Sequence, residues 1–366
     1  MSIELLNFLK KKKKDAGNAK GPVLPTAEPE KVPEHKLGYH KETNSIIRLV
    51  SNKKVKKPYQ VTGIDDVASK NNWKAWVYLA PVIFLVVVFL LYPLINTIFI
   101  SFTKNYNYTT GTHEGITFDN FLVILHLIQY NGAWESSFTT NAIPNTLIIT
   151  FVTVPVSIAL ALIISVALNS IKAFQKILQT VFFLPYVTNS VAIGMVFSVL
   201  FDQKGLINFI FNLDGFKWIS NTPTYIAMIP LCLFIVWNSI PFKILILLSG
   251  LQGIDKQYYQ AAQIDAAPKW KVLTKITIPL LSPQILYLMI TSFIGAFKEY
   301  NSIVSIFGKK GESMAGQKNM YTIVFYVYDN ISANTSFAAA AAVFLFVIIL
   351  IFTFIQFGIS SKRVHY

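Results

Sequence analysis

Residues 258–283 read YYQAAQIDAAPKWKVLTKITIPLLSP, a polar and alanine-rich stretch between two long apolar runs. The residue order predicts two short helices that meet at a corner of small side chains around Ala266. Pro279 and Pro283 close the second piece. A connection with such a specific order of small, polar and proline residues, in a chain that is otherwise apolar, indicates a structured element with a separate function.

The composition is that of a membrane protein. Of the 366 residues, 53% are hydrophobic and only 14% are charged, and the mean hydropathy is +0.49. A soluble domain usually carries about 25% charged residues. Several apolar runs reach the roughly 20 residues that cross a hydrocarbon core as a helix. Because these runs are continuous rather than alternating, they predict helices and not a barrel. We therefore expect an all-α membrane protein.

The apolar runs predict a six-span domain over residues 74–366. The expected spans cover approximately residues 75–100, 144–168, 178–201, 222–248, 284–307 and 336–359. Residues 1–73 form a basic tail that we expect to be disordered, and Lys and Arg are concentrated there within a net charge of +14. Positive residues favour the cytoplasmic side. Both termini and the loop at 251–283 are therefore predicted to be cytoplasmic.

Sequence motifs for chemistry are missing. The chain contains no GxxxxGK[ST], HExxH or GxSxG pattern, and its single cysteine, Cys232, lies within an apolar run. No grouping of His and Cys has the spacing of a metal site. We expect no enzyme active site, no bound metal and no cofactor. Uphill transport by this chain would need energy from a partner or from an ion gradient.

The stretch at 258–283 resembles the cytoplasmic signature loop of permeases of binding-protein-dependent ABC importers. The matching residues are Gln260, Ala261, Ala262, Asp265, Ala266, Ala267, Trp270, Leu273 and Pro279. The pair Asn145-Thr146, the sequence FFLPYV at 182–187 and the closing RVHY are similar to the carbohydrate-uptake branch. Two positions depart from the family pattern, because Gln260 replaces its Glu and Ala266 replaces its Gly.

The resemblance implies a type I ABC importer permease fold in a bacterial cell membrane and the import of a sugar or related solute. The implied partners are a second permease subunit in a heterodimer, two ATPase subunits that hydrolyse ATP, an extracellular solute-binding protein and the lipid bilayer, with no nucleic acid. The loop would form a coupling helix whose small residues let an ATPase subunit approach closely. Trp270 and Leu273 would pack the loop back onto the permease.

Polar and aromatic residues within the spans are candidates for a substrate pathway. The set is Asn189, Trp237, Asn238, Lys298, Glu299, Tyr300 and Asn301. Ionisable residues in spans usually face a cavity or a partner. Each could instead serve a structural hydrogen bond between helices or a pair near the membrane surface. The run Ala338–Ala342 predicts a close-packing helix face.

Other kinds of membrane protein stay open at this point. The solute could be glycerol phosphate or another small molecule rather than a sugar. An ion-coupled secondary transporter would need no ATPase, and recovery of an ATPase subunit with the purified chain would separate the two. A membrane enzyme fits least, because the spans hold no recognisable catalytic set.

Overall fold

The computed structural model describes residues 72–132, 137–171, 177, 180–181, 184, 186–213 and 215–360, and the regular structure in these ranges is helical. A single isolated bridge, between Thr103 and Ile116, is the only strand-like pairing there. Of the expected tail, residues 1–73, the part up to residue 71 lies outside the described residues.

The described helices follow one another closely along the chain. They are α1 (Asn72–Val86), α2 (Tyr92–Ser101), α3 (Asp119–Ile124), α4 (Ile143–Ser170), α5 (Ser190–Leu200), α6 (Leu206–Phe211), α7 (Thr224–Gly253), α8 (Lys256–Ile264), α9 (Lys269–Val272), α10 (Ile278–Leu280), α11 (Ser282–Phe297), α12 (Asn301–Phe307), α13 (Ile323–Asn330) and α14 (Thr335–Ser360). Wider π-helical turns occupy Val87–Leu91, Phe138–Ala142 and Leu273–Thr277.

Four continuous helical stretches among the described residues are long and apolar enough to cross a membrane. They are Trp76–Ser101, Phe138–Ser170, Thr224–Gly253 and Thr335–Ile359. They confirm the first, second, fourth and last predicted spans, with ends that differ by a few residues. The second begins earlier than expected because the π-helical turn at Phe138–Ala142 continues directly into α4.

The two remaining predicted spans differ from expectation. The expected fifth span at 284–307 is not one helix. The segments Lys269–Leu280 and Ser282–Phe297 together form a bent pair with an angle of 67°. A break then separates α11 from α12, where Lys298 ends the first helix and Tyr300 precedes the second. Of the expected third span at 178–201, the structure describes the 11-residue helix α5 and isolated residues before it. The count of six spans stays a prediction.

Each π-helical turn stands directly before a helix that carries proline in its first turn. Pro93, Pro144 and Pro279 occupy these positions in α2, α4 and α10. Proline has no N–H to donate, and its ring clashes with the carbonyl group four residues earlier. A wider turn accommodates that clash, since the π-helix shifts its bonds to the fifth residue. The prolines therefore set where the long helices are deformed.

The core is built around α4 and α7, which pack along each other, with α11 against α4 and α12 against α5. Near one end of the bundle, a small cluster of buried residues joins α4, α7 and α11: Ala161, Leu168, Ile244, Leu247 and Leu288. Ala338–Ala341 of α14 are buried, which confirms most of the expected close-packing face. Small side chains permit such close approach of helices.

The segment before α13 is tied to the bundle by buried polar groups at the start of α4. The side-chain amide of Asn145 donates to the carbonyl oxygens of Asn319 (2.8 Å) and Tyr321 (2.9 Å). The Thr146 hydroxyl accepts from the amide of Ile323 at 3.0 Å. Asn145 and Thr146 therefore connect residues far apart in sequence, which gives the pair a structural role.

An ion pair joins the same segment to α13, where Lys318 Nζ lies 2.7 Å from Asp329 Oδ2. Burial raises the pKa of Asp329, but hydrogen bonds from Lys318 and Tyr321 outweigh it and lower that pKa below its usual range. Both side chains are partly exposed, so the pair adds little to stability.

Candidate functional site

Helix α8 carries the first half of the signature stretch and is capped at both ends. Asp255 is the N-cap, and its carboxylate accepts from the amide of Gln257 at 2.9 Å. At the other end, the amide of Ala267 donates to the carbonyl of Ala262 (2.9 Å), and that of Ala266 donates to Gln263 (3.1 Å). These two bonds form a Schellman motif. The short helix therefore ends at a fixed corner.

Ala266 occupies the left-handed position of this corner, with φ of 49°. The left-handed region is costly for a residue with a Cβ atom and free of that cost for glycine. The signature pattern has glycine where this chain has Ala266, and glycine would adopt this conformation without the cost. The substitution leaves the turn in place, since both of its hydrogen bonds are formed.

Replacing Ala266 with glycine is expected to raise the free energy of unfolding by about 0.5–1 kcal/mol, because relief of the left-handed strain exceeds the added entropy of the unfolded chain. Thermal unfolding of the purified protein in detergent measures the change. Ala261→Gly, in the body of α8, is the control. It is expected to lower the free energy of unfolding by about 0.5–1 kcal/mol. A lower midpoint for Ala266→Gly would contradict the strain at this corner.

Helix α8 turns one face inward and one outward. Ala262 is buried and Tyr259 is half-buried, and the Tyr259 hydroxyl lies 3.3 Å from that of Thr277. The opposite face consists of the exposed residues Gln257, Gln260, Ala261 and Ile264, at the spacing of a single helix face. We call these four residues the outward face. The side chain of Ile264 is 86% exposed.

The remaining signature residues divide between surface and interior. Asp265 and Ala266 are exposed, whereas Ala267, Leu273 and Pro279 are half-buried. Trp270 is 74% exposed. The expectation that Trp270 packs back onto the permease is therefore wrong. It stands in the short helix α9, directly after Pro268 and Lys269.

The four alanines of the signature stretch, which we expect to allow close approach of another surface, do not lie on one side of α8. Their part in docking stays a prediction. Ala261 faces outward, while Ala262, Ala266 and Ala267 line a cavity of about 600 Å³ between α8, α9 and the end of α4. Asn169 and Ser170 line the far side of that cavity. Ala262 therefore shapes the contact of α8 with its own bundle.

A second cavity, of about 450 Å³, lies between α4, α7 and α11. Its lining includes a group of hydroxyl-bearing residues: Thr153, Thr188, Ser190, Ser239, Thr291 and Ser292. Asn238, Lys243 and Glu299 add an amide and two ionisable groups. We call this space the central cavity. Hydroxyl and amide groups beside the rings of Tyr186 and Phe242 can bind the hydroxyls and the apolar face of a polyol.

The structure brings only part of the predicted substrate set to the central cavity. Asn238 and Glu299 line it, and Asn189 stands between two lining residues while its side chain caps α5. Glu299 Oε1 also accepts from the amide of Ser302 at 3.0 Å. Lys243 was missing from the predicted set. The signal for it was available, because Ser239 and Lys243 are polar residues four apart within one apolar helix.

Four residues of the predicted pathway set do not line the central cavity: Trp237, Lys298, Tyr300 and Asn301. Trp237 packs against Phe197, with ring centroids 5.3 Å apart, and Tyr300 stacks on Tyr328 at 4.4 Å. Asn301 is the first residue of α12 and is exposed. Aromatic packing and a helix start give structural reasons for the positions of Trp237, Tyr300 and Asn301. Their part in a substrate pathway stays a prediction.

The comparison with known proteins gives related permeases. The lactose transport system permease protein LacF of Rhizobium radiobacter is 28% identical, over 79% of this chain and 94% of that protein. The arabinooligosaccharides transport system permease protein AraP of Bacillus subtilis is 27% identical, over 82% and 95%. The sn-glycerol-3-phosphate transport system permease protein UgpA of Agrobacterium fabrum is 26% identical, over 83% and 100%.

A solved structure shows the same fold. It is the crystal structure of a bacterial ABC transporter involved in the import of the acidic polysaccharide alginate, with a TM-score of 0.67 at 20% identity over 81% of this chain and 98% of that chain. Residues 154–366 match the family described as binding-protein-dependent transport system inner membrane component. That match covers more than half of the sequence, and the chain belongs to this family of importer permeases.

Proposed function

We propose that this chain is the permease subunit of an ATP-driven importer that moves a sugar or related polyol through the central cavity. The observation that carries the proposal is the outward face of α8 on a firmly capped helix. It presents Ala261 and the 86% exposed Ile264 to solvent beside Gln257 and Gln260, and an exposed apolar side chain of this size suits contact with a partner. The curated relatives named above are permeases for lactose, arabinooligosaccharides and glycerol phosphate.

The outward face suits contact with an ATPase subunit. Ala261 leaves room for a surface to approach the helix backbone, and Ile264 and Trp270 offer exposed apolar area beside it. Gln260 keeps a hydrogen-bonding group without the charge of the family's Glu. ATP would be hydrolysed by two such subunits, and this chain would contribute no cofactor site. The α8 side of the bundle would then be cytoplasmic, as the distribution of Lys and Arg predicts.

A second permease subunit would complete the pathway. Helix α5 exposes Met195, Val196 and Val199, each more than half accessible. The central cavity opens beside α5, since Thr188 and Ser190 at its start line it. Apolar side chains next to a polar cavity need either lipid or another subunit as cover. We propose the second permease as that cover, and an extracellular binding protein as the source of the solute.

The experiment is purification of the chain with its neighbours, followed by uptake into proteoliposomes. We expect ATPase subunits to copurify and uptake to require both ATP and the loaded binding protein. Collapse of ion gradients with ionophores should leave uptake unchanged. Uptake that needs a gradient but no ATPase subunit would contradict the proposal and favour a secondary transporter.

A further inference from the structure

A lysine lies in the middle of the apolar bundle. Lys243 is in α7 and is only 5% exposed, and its side chain lines the central cavity. It stands ten residues before Gly253 at the end of α7, a distance of about 15 Å along the helix. A side chain at this depth cannot reach solvent beyond the helix end. Ionisable groups inside spans are costly, so they usually face a partner or a pathway.

No protein group described in the structure neutralises Lys243. The ion pair found among the described residues joins Lys318 and Asp329, outside the cavity, and no side-chain hydrogen bond of Lys243 is formed there. Lys243 lines the cavity, so a molecule bound there can reach its amine. A counter-charge brought by the cargo would stabilise the charged form of a lysine that is mostly removed from water.

The acidic residue Glu299 lines the same cavity, but it lies towards the end of the cavity that is farther from α8. Gly250 of α7 lies against Gln284 of α11. Lys243 is seven residues before Gly250, and Thr291 is seven residues after Gln284 in a helix that runs back along α7. Lys243 and Thr291 therefore lie at the same height in the bundle. Glu299 is eight residues beyond Thr291, about 12 Å farther along the axis. Its carboxylate already accepts from Ser302. Among the described lining residues, Lys243 therefore lies towards the α8 end of the cavity and Glu299 towards the opposite end.

We propose that the transported solute is a polyol or sugar that carries a phosphate or carboxylate group, and that Lys243 pairs with this anionic group in the central cavity. The inference rests on the proposed function and adds the class of substrate. Ser239 and Thr291 line the cavity near the lysine, and their hydroxyls, which donate to the carbonyls of Val236 and Tyr287, would have to turn to donate to the same anion. Asn238 and Ser292 also line the cavity and can form hydrogen bonds with the hydroxyls of the solute. A cavity of about 450 Å³ has the size of a small-ligand site.

The first measurement is the chemical nature of the solute that the accompanying binding protein retains. Mass spectrometry of the released solute is expected to show a phosphate or a carboxylate, and it distinguishes the two. A binding protein that retains nothing is titrated by calorimetry with sn-glycerol 3-phosphate, galacturonate and lactose. A neutral retained solute, or binding of lactose without binding of either anionic probe, overturns the inference.

The second measurement is uptake by the complete importer in proteoliposomes. Lys243→Gln is expected to lower uptake of the anionic solute by about tenfold or more, the usual effect of losing a charge-assisted hydrogen bond. Lys243→Arg, which keeps the charge, should retain more uptake than the glutamine variant. Lys217→Gln is the matched control and should leave uptake unchanged, because Lys217 is exposed and does not line the cavity.

The outcomes separate the inference from the proposed function. Unchanged uptake of the anionic solute by Lys243→Gln overturns the role of Lys243. If the glutamine variant does not assemble, Lys243→Arg decides, since an assembled arginine variant without uptake also overturns it. A neutral solute refutes the substrate class and leaves the importer function standing. ATP hydrolysis that no loaded binding protein stimulates contradicts the importer function itself.

Discussion

Replacing Ala261 with tryptophan is expected to lower ATP-driven uptake by at least about tenfold, since each 1.4 kcal/mol lost from an association is a factor of ten. Ala261 is exposed at the middle of the outward face of α8. A bulky ring there would hold an ATPase subunit away from the helix while leaving the bundle untouched. Copurification of the ATPase subunits and uptake into proteoliposomes measure the two consequences.

Two matched variants test whether the loss of uptake depends on the side of α8 that carries the ring. Lys256→Trp places the same ring on the flank of α8, so uptake should stay near normal. Ala262→Trp places it in the interior, where overpacking costs about 1–3 kcal/mol, so less folded protein should be recovered. Normal uptake by Ala261→Trp, with the ATPase subunits still bound, would show that no surface docks closely on this face.

Replacing Asn145 with alanine is expected to lower the free energy of unfolding by about 2–3 kcal/mol. The change removes two hydrogen bonds and leaves the buried carbonyl groups of Asn319 and Tyr321 without their donor, and each such loss costs about 1–1.5 kcal/mol. The segment before α13 would then be held to this part of the chain by the bonds of Thr146 and Asn141, and its attachment would be weaker. Thermal unfolding in detergent and resistance to proteolysis between α12 and α13 measure the effect.

The control is Asn141→Ala, one turn earlier. The Asn141 side chain donates a single bond, to the carbonyl of Lys318 at 3.0 Å, in an exposed setting. Water can replace that donor, so the loss should stay below about 1 kcal/mol. Equal effects of the two variants would mean that the buried pair of bonds at Asn145 contributes no more than a surface bond.

The sequence predicted the parts of the fold that depend on local properties. Long apolar runs marked four of the spans, because transfer into hydrocarbon adds up residue by residue. The same reasoning failed at 284–307, where the break near Lys298 divides an apolar run into two helices. The charged and aromatic residues at the break were visible in the sequence. Their effect depended on packing against α4 and α13, which a single run of residues does not show.

The candidate sites divide in the same way. The residue order at 258–283 was sufficient to single out α8 and its corner, because caps, prolines and small residues act on their neighbours in the chain. The order did not reveal that Ala261 faces outward while Ala262 faces the bundle, or that Trp270 is exposed. Those facts depend on where the end of α4 lies relative to α8.

What the sequence by itself determined is therefore a helical membrane protein with a patterned, polar connection between two spans. The tertiary structure decided which side of that connection is free to meet a partner. It also decided that Lys243, unremarkable among apolar neighbours in α7, lines the same cavity as Thr291 of α11. Residues from distant parts of the chain become neighbours only when whole helices pack, and a cavity is made of such neighbours.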